Sequence, residues 1–185
     1  MEKTTGYKLI RKLDKGVFEK IVFVSSAVSK DESRPALLNV LIVNVNGKKN
    51  QRVIATDGKR LHSAVLYGLL FAPGMYEVTK TKYIIRMERY EKEGVVFPPN
   101  WEYVIPKAKT FEQLFNSNIS DSDEIEKMFF KLGKLNKGRC ALRYFKDMIK
   151  MPGKFANVLT VKDDEHPIVK IESGECFAIV MPIRD

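Results

Sequence analysis

Two rhythms of apolar and polar residues follow one another along this chain. From Leu13 to Val28 apolar residues fall at Leu13, Val17, Ile21, Val24 and Val28. Steps of three and four place them on one face of a helix, since 3.6 residues make a turn. Asp14 stands where an N-cap belongs, and Ser29-Lys30-Asp31-Glu32-Ser33 ends the helix in a polar loop. After Arg34-Pro35 the rhythm changes. Ala36 to Val43 is a β-rich run, and Asn46-Gly47 signals a hairpin, because both residues tolerate positive φ. Gln51 to Ala55 is the return strand, and the Asp57-Gly58 turn leads to a further strand from Leu61 to Tyr67. This part reads as a helix followed by three antiparallel strands. Shorter strands are expected at Tyr76–Val78 and Tyr83–Met87, and an extended stretch, Trp101–Ile105, between Pro98-Pro99 and Pro106. The polar run from Asn116 to Glu124 reads as a mobile loop or an internal boundary.

The second half carries a similar pattern. Met128, Phe130 and Leu132 alternate with polar or less apolar positions, which predicts a strand. Ala141–Lys150 has helical spacing, with Leu142, Phe145 and Ile149 on one face, and Met151-Pro152-Gly153 stops it. Strands are then expected at Val158–Val161, Ile168–Ile171 and Cys176–Val180. A strand–helix–three-strand unit thus occurs twice, as an architectural repeat without residue identity. The class is α+β. The length of 185 residues suits one well-buried core or two small ones.

Charge adds a direction. The net charge of +9 favours a polyanionic partner such as nucleic acid or an anionic membrane. Arg143, Lys146 and Lys150 recur opposite Leu142, Phe145 and Ile149 and share the exposed face of their helix, with Lys154 just beyond. Such a stripe is either a solvated face or a phosphate-contacting one. The first helix adds Lys12, Lys15 and Lys20, diluted by Asp14 and Glu19. Cys140 and Cys176 lie far apart with no CxxC, and His62 and His166 are the only histidines. No metal site, disulfide framework or cofactor is expected. No signal peptide is evident at the amino terminus, and apolar runs such as Val40–Val43 are far short of the roughly 20 residues of a membrane span. A reducing cytoplasm is the expected setting. Asp57 with His62 suggests acid–base work, but no Ser or Cys nucleophile is placed to join them, so the chain reads as non-enzymatic.

Two motifs are more specific. Ala55-Thr56-Asp57-Gly58-Lys59-Arg60-Leu61 and the end Val180-Met181-Pro182-Ile183-Arg184 resemble two segments of the bacterial sliding clamp, the β subunit of DNA polymerase III. In that family an Ala-Thr-Asp-Gly-x-Arg-Leu loop and a Met-Pro-x-Arg carboxyl end border the surface that receives polymerase tails. Arg34 through Leu61 is similar to the start of the family's middle domain, and Phe97–Pro106 to the linker that follows that domain. Cys140 through Arg184, with its Asp163-to-Pro167 turn, is similar to the final unit of the last domain. The resemblance covers most of the chain, but only the two motifs are specific.

The resemblance implies a DNA-clamp fold of two β-α-β-β-β units forming one domain, with two helices on antiparallel sheet. The first unit is expected at about 7–95, a linker at about 96–123 and the second unit at about 124–185. It implies a peptide cleft with Thr56, Gly58, Lys59, Arg60 and Leu61 on one wall, and Pro99, Tyr103 and Val104 beside it. Val180, Met181, Pro182, Ile183 and Arg184 would form the opposite wall. The alternative is that these are a plain turn and a core strand. It implies helices facing duplex DNA, through Lys12, Lys15, Lys20, Arg143, Lys146, Lys150 and Lys154. A bacterial clamp subunit is roughly twice this length, so this would be a shortened form. In the family the two walls belong to successive domains, which suggests a cleft completed head-to-tail by a second copy. Phe111-Glu112-Gln113-Leu114-Phe115 holds a Gln-Leu-Phe like those in clamp-binding peptides, or is an amphipathic segment turned inward. Expected partners are duplex DNA and replication or repair proteins with short hydrophobic motifs. The rival readings are an interaction or decoy protein of phage or mobile-element origin that does not encircle DNA, and a basic α+β nucleic-acid-binding domain unrelated to clamps.

Overall fold

The structure, a computed structural model, describes residues 7–11, 14–45, 49–68, 70–104, 111–134, 140–161 and 168–181. Two compact units emerge: Met1–Gly58 with His62–Pro98, and Lys59–Leu61 with Pro99–Asp185. No helix is long and apolar enough to cross a membrane.

In the first unit β1 (Tyr7–Arg11) precedes α1 (Lys15–Ser25), a 3-10 turn at Pro35–Leu38 and then β2 (Val40–Val45). β3 (Asn50–Thr56), β4 (Arg60–Tyr67), β5 (Gly74–Lys80) and β6 (Ile84–Arg89) follow. The strand order is β1-β6-β5-β2-β3-β4. α1 buries Phe18, Ile21, Phe23 and Val24, and it packs against β3 and β1. Asp14 does start the helix, but through its carbonyl, which accepts N–H bonds from Val17 (3.1 Å) and Phe18 (2.9 Å) rather than through a side-chain cap. Where Ala36–Val43 was expected to be one strand, Pro35 starts a turn of 3-10 helix and the strand begins at Val40. Proline at the first position suits a helical turn and cannot donate to a ladder. β1 is the strand that the strand–helix–three-strand unit places before the helix, at the expected start of the first unit. Asn46-Gly47 lies outside the described residues. Gln51, fully buried, donates to the Phe71 carbonyl (2.6 Å) and to Asn44 Oδ1 (3.1 Å) and accepts the Leu70 and Phe71 N–H groups (2.9 and 3.0 Å), so its desolvated amide is matched by four bonds.

The second unit starts with a 3-10 turn at Trp101–Val104, where an extended stretch was expected. β7 (Phe111–Asn118) and α2 (Ser122–Lys134) come next. They replace the expected loop at Asn116–Glu124 and the expected strand through Met128, Phe130 and Leu132, and β7 falls in the stretch read as a linker. The periodicity that governs is Ile125, Met128 and Leu132, at spacings of three and four, all buried. The Asp121 carboxylate accepts the Glu124 N–H (2.9 Å) at the start of α2; Asp123 and Glu124 lie in its first turn, and Lys131 and Lys134 in its last. These charges suit the helix dipole. Phe130, by contrast, is 63% exposed. α3 (Leu142–Phe145) runs into a 3-10 segment, Lys146–Lys150. β8 (Phe155–Val161), β9 (Val169–Ser173) and β10 (Cys176–Val180) complete an antiparallel order β10-β9-β8-β7. β9 and β10 turn on Gly174 at φ +55°, with Ser173 opposite Cys176. The Gln113-Leu114-Phe115 run sits in β7 at a bulge, with Phe111, Leu114 and Phe115 half-buried.

Candidate functional site

The Thr-Asp-Gly turn is built by local chemistry. Thr56 closes β3, and its Oγ1 accepts the Gly58 N–H at 3.0 Å. Gly58 sits at φ +86°, which a Cβ would strain. The Arg34 guanidinium braces the turn by donating to the Asp57 carbonyl at 3.2 Å. A Cβ on Gly58 would also come within 3.0 Å of that guanidinium. Thr56 and Gly58 belong to the first unit.

Lys59, Arg60 and Leu61 cluster with the second unit, where Val180 and Met181 lie. The Met181 N–H donates to the Lys59 carbonyl at 2.9 Å. The two segments singled out by sequence therefore touch within one chain, where a second copy had been expected to join them. Leu61 and Val180 are almost wholly buried, as in a core strand. Met181 is half-buried and Lys59 exposed. Pro99 is exposed; Tyr103 and Val104 fall in the 3-10 turn, with their side chains outside the described residues. Pro182, Ile183 and Arg184 also lie outside them.

Arg60 is held by residues that sequence reading missed. Its Nη1 pairs with Oδ2 of Asp147, and the two side chains are only 11% and 16% exposed. Its guanidinium lies over the ring of buried Tyr144, 5.2 Å from the centroid. Lys150 takes the other carboxylate oxygen of Asp147. Burial pushes the Asp147 carboxyl up, but the Lys150 hydrogen bond and the charges of Arg60 and Lys150 outweigh it and hold the group below the usual carboxylate range. Arg143 also lies over the Tyr144 ring (4.9 Å) and donates to its hydroxyl at 3.0 Å.

The basic stripe is exposed but engaged. Arg143, Lys146, Lys150 and Lys154 all reach solvent. Lys146 pairs with Glu126 at 3.4 Å, Lys150 with Asp147, and Lys154 lies over Phe155. The expected inward face of Leu142, Phe145 and Ile149 is corrected to Tyr144, Phe145 and Met148, with Ile149 44% exposed. A 3-10 helix has three residues per turn, which brings Met148 in line with Phe145 and turns Ile149 out. Lys20 donates to the Val65 carbonyl at 2.7 Å and lies over Tyr67, lining a cleft of about 340 Å³ with Asp14, Gly16, Val17 and Leu66. Lys12 is outside the described residues, as is the side chain of Lys15.

His62 is buried and stacked on Phe23, with centroids 4.5 Å apart. Its Nδ1 lies 3.1 Å from the Phe23 carbonyl, so that nitrogen carries the proton and donates. That packs the histidine ring against α1. Among the described residues no group of three or more His, Cys, Asp or Glu could hold a metal ion. Cys140 and Cys176 are buried and form no disulfide.

No protein-family model matches the sequence, and no curated protein matches it. Solved structures do. The DNA polymerase III β subunit of Borrelia burgdorferi, solved with a natural product, superposes with TM-score 0.63 at 13% identity. The β chain of Streptococcus pneumoniae gives 0.64 at 12%, and the β subunit of Thermotoga maritima 0.63 at 14%. Each match takes in all of this chain and 64%, 66% and 67% of the respective clamp chain, so the chain spans less than two thirds of the Borrelia subunit. At these identities the shared property is architecture: the chain has the fold of the bacterial sliding clamp, the β subunit of DNA polymerase III.

Proposed function

We propose that this protein is a non-enzymatic, clamp-like factor of DNA replication or maintenance that offers a hydrophobic site to short polymerase-type peptides and associates with duplex DNA. One observation carries the reading: the Met181 N–H bonds the Lys59 carbonyl, so the two clamp-like motifs adjoin on a clamp fold. Leu61 and Val180 supply an apolar base there, and half-exposed Met181 suits a surface that adapts to several peptides. A titration with a Gln-Leu-x-Leu-Phe peptide, followed by amide NMR, tests it. Shifts confined to Lys59–Leu61, Met181 and their neighbours support the reading, and an unresponsive site removes it.

Duplex binding rests on the net charge and on Arg143, Lys146, Lys150 and Lys154. Surface ion pairs are worth about 0–1 kcal/mol, so phosphates can displace Glu126 from Lys146. The same pairs favour a second reading, because Glu126 and Asp147 already offset part of the stripe. On that reading the protein binds clamp-binding partners and leaves DNA alone. Anisotropy of a labelled duplex decides between them: affinity falling steeply with salt supports the first, and no binding at low salt supports the second.

A further inference from the structure

We infer that Asp147 is a positioning residue for the peptide site, acting through Arg60; the inference rests on the peptide-site reading above. Arg60 stands between Lys59, whose carbonyl receives the Met181 N–H, and Leu61, which forms the apolar base. Successive side chains in a strand point to opposite faces, so fixing Arg60, the first residue of β4, fixes the direction of Leu61, and Lys59 precedes it directly in the chain. Three groups fix Arg60. Asp147 takes a guanidinium nitrogen, Tyr144 supplies a ring face, and Lys150 holds the second oxygen of Asp147. Arginine suits this place because its flat guanidinium can bond a carboxylate in its plane while stacking on an aromatic face.

The arrangement also gives Arg60 a role different from a direct ligand contact. Its charge is matched inside the protein by Asp147, and its side chain is 11% exposed. A peptide arriving at Met181 therefore meets an apolar site with no uncompensated cation from Arg60. Without the Asp147 charge, the long Arg60 side chain loses its anchor, and the Lys59 carbonyl loses its fixed aim at Met181.

The test compares Asp147→Asn, Asp147→Glu and Lys150→Ala with the unaltered chain, each checked for folding by circular dichroism. The probe is a labelled Gln-Leu-x-Leu-Phe peptide, and amide spectra are recorded without peptide. Asp147→Asn should weaken binding about tenfold and shift the Lys59–Leu61 and Met181 amides. Asp147→Glu should recover affinity to within about threefold, and Lys150→Ala, which removes one hold on Asp147, should give a loss smaller than that of Asp147→Asn. A merely structural carboxylate would not give this graded rescue in folded variants. Should Asp147→Asn prove too unstable to assay, Arg60→Lys keeps the charge but loses the planar fork: a similar loss supports the inference, and full affinity overturns it. Equal affinity of Asp147→Asn and the unaltered chain overturns the positioning role while leaving the peptide site standing. An unaltered chain that binds no peptide overturns the peptide-site reading and this inference with it.

Discussion

Gly58 and Asp147 sit at opposite ends of what a sequence discloses about single residues. Thr56-Asp57-Gly58 is readable because a turn is local: the threonine hydroxyl reaches an N–H two residues on, and glycine alone takes φ +86° without strain. Gly58→Ala should cost about 1–2 kcal/mol, since a left-handed backbone opposes a Cβ and Arg34 must also move. Urea unfolding with an unchanged m-value would report it, and an unchanged midpoint would contradict it. Asp147 and Arg60 are 87 residues apart, and no periodicity in the sequence marks their pairing. The pair has a pH signature. The Asp147 carboxyl titrates lower in the folded protein than in the unfolded chain, so its contribution is present above the unfolded value near 4 and is lost as pH falls through the folded one. Asp147→Asn should therefore cost about 2 kcal/mol at neutral pH and progressively less below about pH 4. A penalty independent of pH would mean that the charge does not matter. Cys140 is also predictable from its surroundings. Burial pushes its thiol up to about 11, so thiol reagents at pH 8 should react with it only as fast as the chain opens.

α2 is the element where pattern and structure part most clearly. Met128, Phe130 and Leu132 suggest a two-residue alternation, yet Ile125, Met128 and Leu132 form the buried face and Phe130 faces water. Both readings share Met128 and Leu132, so three residues could not separate them. The Asp121 cap, the acidic first turn and the basic last turn could have, because they are helix signals with no strand equivalent. Met128→Ala should cost about 3 kcal/mol, as a buried methionine truncation does, whereas Phe130→Ala should change stability by less than about 0.5 kcal/mol. Equal penalties at both sites would revive the strand. The hairpin strands were easier to read. β3 and β4 differ from the expected bounds by one or two residues, because β-branched residues bounded by turn formers are a local signal. The segment after Ala141 was read correctly as helical and incorrectly in its face, since the change from α to 3-10 geometry at Lys146 depends on packing and leaves no mark in the residue pattern.

For the whole molecule, the sequence motifs led to the clamp fold. On the DNA side, Arg143→Gln, Lys146→Gln and Lys154→Gln together should weaken duplex binding irrespective of base sequence. Each phosphate left without its cation should flatten the log–log salt dependence by about 0.9. Lys150 is left in place there because it also holds Asp147. Unchanged affinity and slope would remove this face from DNA. On the peptide side, two clamp-like motifs in a chain shorter than a clamp subunit suggested a cleft completed head-to-tail by a second copy. The Lys59–Met181 hydrogen bond joins the motif segments within one chain, so mass action between copies need not enter. Peptide affinity is therefore expected in the micromolar range, about −8 kcal/mol, and constant over roughly a hundredfold dilution of the protein. Deleting Met181 to Asp185 should abolish it at every concentration, because the partner of the Lys59 carbonyl goes with that segment. Affinity that rises with protein concentration would instead assign one wall to a neighbouring copy.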